Sequence, residues 1–227
     1  MALILLDKRV TNKERDLMIR TTETSTLPSP SAMPRFAALA AIPALLLMMP
    51  LAMAHTGHAG AAHGGFLAGL THPLLGVDHL LAMLAIGAWS LRQPGTPGSL
   101  TPLLAVAGML LGAGLAWGGL SLPGVELGIA ISVVLAGLLV AALITLPTAL
   151  GAALVVLFML LHGHAHGSEM PQGASLLAYP AGFVLATLAI TQAGRQLGRW
   201  LSAPRHGLLL RSLGVAIGAA GAVLAIG

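Results

Sequence analysis

Residues 66–91 read FLAGLTHPLLGVDHLLAMLAIGAWSL, an apolar run long enough to cross a bilayer as one α-helix. Its only ionisable side chains are those of His72, Asp78 and His79. A continuous helix would place Asp78 and His79 roughly 18–20 Å from either end, near the bilayer midplane. Ionisable groups at that depth are costly and usually face a partner or an aqueous pathway. The run therefore predicts a membrane helix that carries a functional site.

The composition extends this prediction to the whole chain. Only 8% of the residues are charged and the mean hydropathy is +0.90, whereas soluble domains carry about 25% charged residues. We therefore predict an all-α membrane protein that lies in a lipid bilayer. The sequence pI near 10.7 would suggest nucleic-acid binding in a soluble protein. Here the sparse arginines are better explained as topology signals, and we expect no nucleic-acid partner. The chain has no Cys, which excludes disulfides, thiolate ligands and thiol nucleophiles.

The N-terminal residues are predicted to lie outside the working protein. Residues 1–32 are charged and lack a long apolar pattern, so we interpret them as an upstream extension, either a mis-assigned start or a long n-region. Residues 33–54 have the positive Arg35, an apolar core and a small-residue site that ends at Ala54, as in a cleaved signal peptide. The alternative is an uncleaved first transmembrane helix. Cleavage would make His55 the mature N-terminus.

The mature chain, 55–227, is predicted to form six transmembrane helices separated by Pro and Gly residues. The six apolar segments are approximately 66–91, 100–119, 125–145, 147–163, 174–197 and 206–226. We expect the first helix to be broken near Pro73–Gly76, since proline and glycine permit a local break. Glycine stripes, such as the one that contains Gly112 and Gly114, are interpreted as faces where helices pack closely.

The arginines predict the orientation in the membrane. A cleaved signal places the mature N-terminus outside, so the first helix runs inward. Every arginine of the mature chain then falls on the inner side, in agreement with the positive-inside rule. These residues are Arg92, Arg195, Arg199, Arg205 and Arg211. We expect a multi-pass protein with both mature termini outside. Among the histidines, only His206 falls on the inner side.

The ionisable residues of the first segment have the spacing of a metal site. His72 and His79 are two helical turns apart and share one stripe of a continuous helix, which Met83 extends as a possible additional ligand. Asp78 either ligates the metal or orients an imidazole. Two imidazoles and a carboxylate suit a divalent transition metal. We predict that His72, Asp78 and His79 form a divalent-metal site, the alternative being a structural hydrogen-bond cluster.

A second group of candidate metal ligands is predicted on the outer side. The sequence HGHAHGSE at 162–169 lies at the end of the fourth segment and in the outer loop that follows it. His162 and His166 are four residues apart and would share a face if this stretch were helical. The alternative is a solvated turn. The members are His55, His58, His162, His164, His166, Glu169 and, as a possible addition at the start of the third helix, Glu126.

These motifs carry a family resemblance. The pattern His72-Pro73-x-x-Gly76-x-Asp78-His79 resembles the signature of the HupE/UreJ family of bacterial membrane proteins, and HGHAHG at 162–167 is similar to that family's second histidine motif. The resemblance implies a nickel permease of the inner membrane that is associated with hydrogenase or urease maturation, with cobalt the metal in some members. The chain is also similar to the His-x4-Asp-His motif of other nickel and cobalt transporters, with five intervening residues here.

The predicted function is uptake of a divalent cation, Ni²⁺ first, by a secondary permease. The ion would be captured by the outer histidines and pass through the His72, Asp78 and His79 site to the cytoplasm. We expect no enzymatic activity and no permanently bound cofactor, because Ni²⁺ or Co²⁺ is the transported substrate. Imidazole and carboxylate suit nickel, cobalt and zinc alike, so the ligands leave the metal open. The alternatives are a cobalt importer, a metal exporter or sensor, and an intramembrane metalloenzyme.

Overall fold

The computed structural model describes residues 64–202 and 207–226. The predicted upstream extension and signal peptide, together with His55, His58 and His206, lie outside the described residues. Within them all regular secondary structure is α-helical. The seven helices are α1 (Gly64–Leu75), α2 (Val77–Ser90), α3 (Thr96–Trp117), α4 (Val125–Ala141), α5 (Thr148–Ser168), α6 (Ala178–Leu201) and α7 (Gly207–Ile226).

The first predicted segment forms two helices rather than one. The break falls at Gly76, whose backbone is extended with φ −72° and ψ 111°. The axes of α1 and α2 are bent by 74° relative to one another. Pro73 lies inside α1, one turn before the break. The expected break near Pro73–Gly76 is therefore confirmed, and it places Asp78 and His79 at the start of α2 instead of the centre of one long helix.

The helices are those of a multi-pass membrane protein. In the described part of the chain, three are long and apolar enough to cross a bilayer: Gly98–Trp117, Thr148–Ser168 and Gly207–Ile226. The bent pair α1 and α2 is apolar enough to form a fourth span if the two are taken together. Helix α4, Val125–Ala141, is also apolar but shorter. Large apolar side chains lie exposed on the outside of the bundle, as expected for surfaces that face lipid.

Glycines allow the helices to pack closely in pairs. Where α3 meets α5, Gly112 lies against the backbone of Leu160, and Gly163 lies against the backbone of Met109. A Cβ atom at either glycine would clash with these backbone atoms. Similar contacts join α1 and α2 to α6, and α4 to α7. The predicted packing role is confirmed for Gly112, but it is wrong for Gly114: among the described residues, no atom of another helix lies within 4 Å of the position that its Cβ would take.

One end of the bundle carries Arg92, Arg195 and Arg199, and we call it the arginine end. The loops that follow α2 and α4 meet there. Gln93 Oε1 accepts a hydrogen bond from the backbone N–H of Leu146 at 3.0 Å.

The opposite end carries Glu126 and Glu169, and we call it the acidic end. Glu126 belongs to the first turn of α4, and Glu169 is the residue directly after α5. At this end, His164 Nε2 donates a hydrogen bond to the carbonyl oxygen of Leu120 at 2.7 Å, which ties the loop after α3 to α5. The arginines and the two glutamates therefore lie at opposite ends of the bundle.

Candidate metal centre

Four imidazole rings from three helices meet at the break between α1 and α2. The centroid of the His166 ring lies 4.6 Å from that of His72 and 4.5 Å from that of His79. The His79 and His162 centroids are 4.6 Å apart, and those of His72 and His79 are 5.7 Å apart. The structure thus joins residues of the two motifs that the sequence had assigned to separate places, a transport path and an outer capture site.

The location expected for the second histidine motif was wrong. Helix α5 continues to Ser168, so the stretch that contains His162 and His166 is helical and not an outer loop. Both side chains are 0% exposed. This stretch is helical because both of its faces pack against other helices. Gly163 and Gly167 pack against α3, and His162 and His166 face the break between α1 and α2. Burial on both faces stabilises helix in a Gly-rich stretch that would favour a loop when exposed.

The cluster lies nearer the acidic end than the middle of the bundle. His166 is two residues before the end of α5, a distance of about 3 Å along the helix axis. His79 is the third residue of α2. The expected midplane position assumed one continuous helix, and the break at Gly76 removes that assumption.

Three of the imidazoles can share one metal ion. One ring nitrogen from each of His72, His79 and His166 lies within 4.8 Å of the other two. Imidazole nitrogen is a good ligand for Ni²⁺, Co²⁺ and Zn²⁺. A site with three protein ligands leaves positions open for water, which favours exchange of the ion. We call these three residues the histidine triad.

Hydrogen bonds to carboxylates set the orientation and tautomer of two imidazoles of the histidine triad. The Nδ1–H of His79 donates to Asp78 Oδ1 at 2.8 Å, and the Nε2–H of His72 donates to Glu169 Oε2 at 3.0 Å. Because a carboxylate accepts these bonds, the lone pairs of His79 Nε2 and His72 Nδ1 remain for a metal. Asp78 therefore orients an imidazole, which was one of its two expected roles. The hydrogen bond with His72 also lowers the pKa of the Glu169 carboxyl.

Buried nitrogen atoms at the cluster fit a cation. Nε2 of His79 and both ring nitrogens of His166 are buried and have no hydrogen-bond partner among the described residues. Leaving such atoms unpaired in an apolar interior is costly, so an unpaired group calls for an explanation. A divalent cation would accept the lone pair of His79 Nε2 and the one lone pair of a neutral His166 ring, and the donor set is therefore consistent with metal binding.

His164 does not join the cluster, although its neighbours on both sides do. It is buried, and its Nε2–H donates to the Leu120 carbonyl at 2.7 Å. Ser168 Oγ in turn donates to the His164 carbonyl at 2.9 Å. His164 therefore has a structural role: it links α5 to the loop after α3.

The two additional candidates also lie outside the histidine triad. Glu126 lines a cavity of about 350 Å³ that Asp78 also lines, with Leu224 on the α7 side. Met83 lies one turn beyond His79 on α2 and is fully buried in the hydrophobic core. Glu126 thus lies at the same cavity as Asp78. Met83 lies on the side of His79 that faces the arginine end.

Three residues that contact the cluster were missed from the sequence. Ser132 Oγ on α4 lies 2.9 Å from His162 Nε2. The Tyr179 hydroxyl donates to the His166 carbonyl at 3.1 Å, and the Phe183 ring stacks on the His166 ring at a centroid distance of 5.4 Å. A serine or an aromatic residue in an apolar helix gives no local signal of such a contact, because the contact depends on how the helices pair.

Comparison with known proteins identifies the family of this chain. A profile of the family described as HupE / UreJ protein matches residues 43–224. The chain is 38% identical to Protein HupE of Rhizobium leguminosarum bv. viciae over 185 residues, which cover 81% of this chain and 95% of that protein. No solved structure matches. On this evidence the chain belongs to the HupE/UreJ family.

Proposed function

We propose that this protein is a secondary permease that takes up a divalent transition-metal cation, nickel first, across the bacterial inner membrane. The HupE/UreJ family is generally linked to nickel or cobalt uptake for hydrogenase or urease, and its members are transport-type proteins. The observation that carries the proposal is the histidine triad, whose ligand nitrogens lie within 4.8 Å of one another. Its metal ion is the substrate in transit.

The exposure of the side chains supports entry from the acidic end. The Glu169 side chain is 51% exposed, that of His72 is 32% exposed, and His166 is fully buried. A hydrated cation would meet the Glu169 carboxylate first and exchange its waters for imidazole nitrogens as it moves inward. The cavity lined by Glu126 and Asp78 adds negative charge beside this route.

The side toward the arginine end is closed. The interior there is apolar and is lined by Ile86, Val155 and Phe158. At the end of this region, Trp89 Nε1 donates a hydrogen bond to the carbonyl oxygen of Ile144 at 2.8 Å. Release of the ion at this end requires these helices to move apart. Among the described residues, this apolar packing at the arginine end supports entry of the ion from the acidic end.

The membrane arrangement we propose has six spans, with α1 and α2 as one broken span and each of α3 to α7 as a further span. The arginine end would face the cytoplasm, in agreement with the positive-inside rule, and a cleaved signal would leave both mature termini in the periplasm. The membrane potential contributes about 2.3 kcal/mol per charge per 100 mV, which favours inward movement of a divalent cation.

The proposal is tested by uptake of radioactive nickel in cells that lack other nickel importers, with cobalt and zinc as competitors. We expect nickel accumulation with the wild-type chain and loss of it in His79→Ala and His166→Ala. His164→Gln is the matched control, because it changes a buried histidine of the same helix, outside the histidine triad, and its longer amide keeps an N–H donor for the Leu120 carbonyl near the position of Nε2. Absence of accumulation in the wild type, or normal accumulation in both triad variants at equal membrane levels, would overturn the proposal.

A further inference from the structure

His162 lies next to the histidine triad without belonging to it. Its ring centroid is 4.6 Å from that of His79. It is one turn before His166 on α5, and so one turn closer to the arginine end. The side chain is 0% exposed, and its Nδ1 atom has no hydrogen-bond partner among the described residues. A buried imidazole with an unpaired nitrogen thus follows the triad in the direction of the proposed transport.

Ser132 on α4 determines which nitrogen of His162 carries the proton. Ser132 Oγ lies 2.7 Å from the Ile129 carbonyl oxygen and 2.9 Å from His162 Nε2. The carbonyl oxygen can only accept, so the single hydroxyl hydrogen of Ser132 is donated to it. The hydroxyl oxygen therefore accepts the Nε2–H of His162. It follows that the lone pair of His162 is on Nδ1, the unpaired atom.

We propose that Ser132 is a positioning residue: it holds His162 in the Nε2–H tautomer and so creates a second, deeper position for the ion between His162 Nδ1 and His79 Nε2. This inference rests on the proposed transport function. His79 belongs to both positions, because Asp78 occupies its Nδ1 and leaves only Nε2 for a metal. The ion would move inward by exchanging the other triad ligands for His162 while it stays bound to His79.

The deeper position binds the ion more weakly than the triad, as release requires. It offers two imidazoles where the triad offers three. The hydrogen-bond partner behind His162 is a neutral hydroxyl, whereas carboxylates stand behind His79 and His72. A carboxylate partner raises the basicity of a ligating imidazole more than a neutral acceptor does. The affinity therefore falls along the route from the acidic end to the arginine end.

The test compares Ser132→Ala and Ser132→Thr with wild type in two measurements on the full chain. The first is Co²⁺ binding to the purified protein, followed by the visible absorption of the bound ion, which reports the triad. The second is the maximal rate of radioactive nickel uptake. For Ser132→Ala we expect Co²⁺ affinity and spectrum within about two-fold of wild type but an uptake rate lower by about 10-fold or more, the range typical for lost partners of metal ligands. Ser132→Thr keeps the hydroxyl, and we expect its uptake rate to be close to that of wild type.

Thr187→Val is the matched control for loss of a buried hydroxyl. Thr187 Oγ1 is buried and donates to the Phe183 carbonyl at 2.8 Å, like the bond of Ser132 to its own helix, and no imidazole is bonded to it. We expect uptake by this variant to equal that of wild type. Wild-type maximal uptake by Ser132→Ala would overturn the inference, and so would equal losses in Ser132→Ala and Thr187→Val.

A third measurement tests the inference even if Ser132→Ala does not fold. Nitrogen NMR of the metal-free wild-type protein, with His162→Gln used to assign the signal, distinguishes the two tautomers of His162. We expect the Nε2–H form, and the Nδ1–H form would overturn the inference. The two proposals fail differently: a wild-type chain that neither binds Co²⁺ nor takes up nickel contradicts the transport function itself. Normal transport that is independent of Ser132 contradicts only the deeper position.

Discussion

Asp78 Oδ1 accepts a hydrogen bond from Nδ1–H of its neighbour in the chain, His79, at 2.8 Å. The same oxygen accepts the backbone N–H of His79, also at 2.8 Å. These two bonds hold the carboxylate against the first turn of α2 and leave Nε2 as the free nitrogen of His79. A pair that the sequence presents as two candidate ligands is therefore one ligand and the group that orients it.

Removal of the Asp78 side chain is predicted to weaken metal binding without removing a ligand. In Asp78→Ala the His79 ring loses both its orientation and its charged partner, and we expect nickel affinity to fall by about 10- to 100-fold. Asp78→Asn keeps an oxygen that accepts the Nδ1–H, so its loss should be smaller. Isothermal titration of the purified variants measures both values. Equal affinities in wild type and Asp78→Ala would contradict the orienting role.

Glu169 is predicted to act on capture of the ion rather than on its passage. It is the most exposed member of the site and is bonded to His72. In Glu169→Gln we expect the nickel concentration for half-maximal uptake to rise several-fold while the maximal rate stays near that of wild type. Uptake rates over a range of nickel concentrations separate the two quantities. A fall in the maximal rate with unchanged half-saturation would show that Glu169 acts later in transport.

Nickel binding is predicted to weaken on acidification. Protons compete with the metal for imidazole nitrogen, so affinity should fall as the pH is lowered from about 7.5 to about 5.5. The hydrogen bond with His72 lowers the pKa of Glu169, so its carboxylate stays ionised over this range and does not cause the fall. The Glu169→Gln variant should therefore show the same pH dependence as wild type. Titrations at several pH values check this, and affinity that is constant with pH would argue against imidazole ligands.

Close packing of α5 on α3 is predicted to make Gly163 indispensable. A Cβ there would collide with the Met109 backbone, so we expect Gly163→Ala to lower the free energy of unfolding by about 1–3 kcal/mol. The matched control is Gly114→Ala on α3, whose Cβ would meet open space. This control should leave stability unchanged or raise it by up to about 1 kcal/mol, because Ala favours helix over Gly. Unfolding of both variants in detergent gives the comparison, and similar stabilities would contradict the packing account.

Much of the fold could be predicted from hydropathy, because apolar helices are coded locally. The helices Val125–Ala141 and Gly207–Ile226 lie within segments that were recognised from their apolar residues alone, and the break at Gly76 was predicted from Pro73 and Gly76. The predicted end of α5 was too early because HGHAHG has little apolar character, whereas the helix continues to Ser168. Its helical state comes from packing, with Gly163 against α3 and the imidazoles against α1 and α2.

The candidate site could be predicted only in part. His72, His79 and His166 were recognised as ligand types, but their meeting depends on the pairing of α5 with the α1–α2 break, which no short stretch encodes. The different places of His164 and His166, two residues apart, follow from the helical rotation that turns one toward Leu120 and the other toward His79. Ser132 gave no signal, since its role depends on a residue of another helix.

The most direct test of the central claim is X-ray absorption at the nickel edge of the purified, nickel-loaded protein. We predict scattering from three imidazole ligands in wild type, with oxygen ligands from water completing the coordination. The imidazole count should fall to two in His166→Ala and stay at three in His164→Gln. A nickel ion surrounded by oxygen only, or a count that does not change in His166→Ala, would contradict the histidine triad as the metal centre.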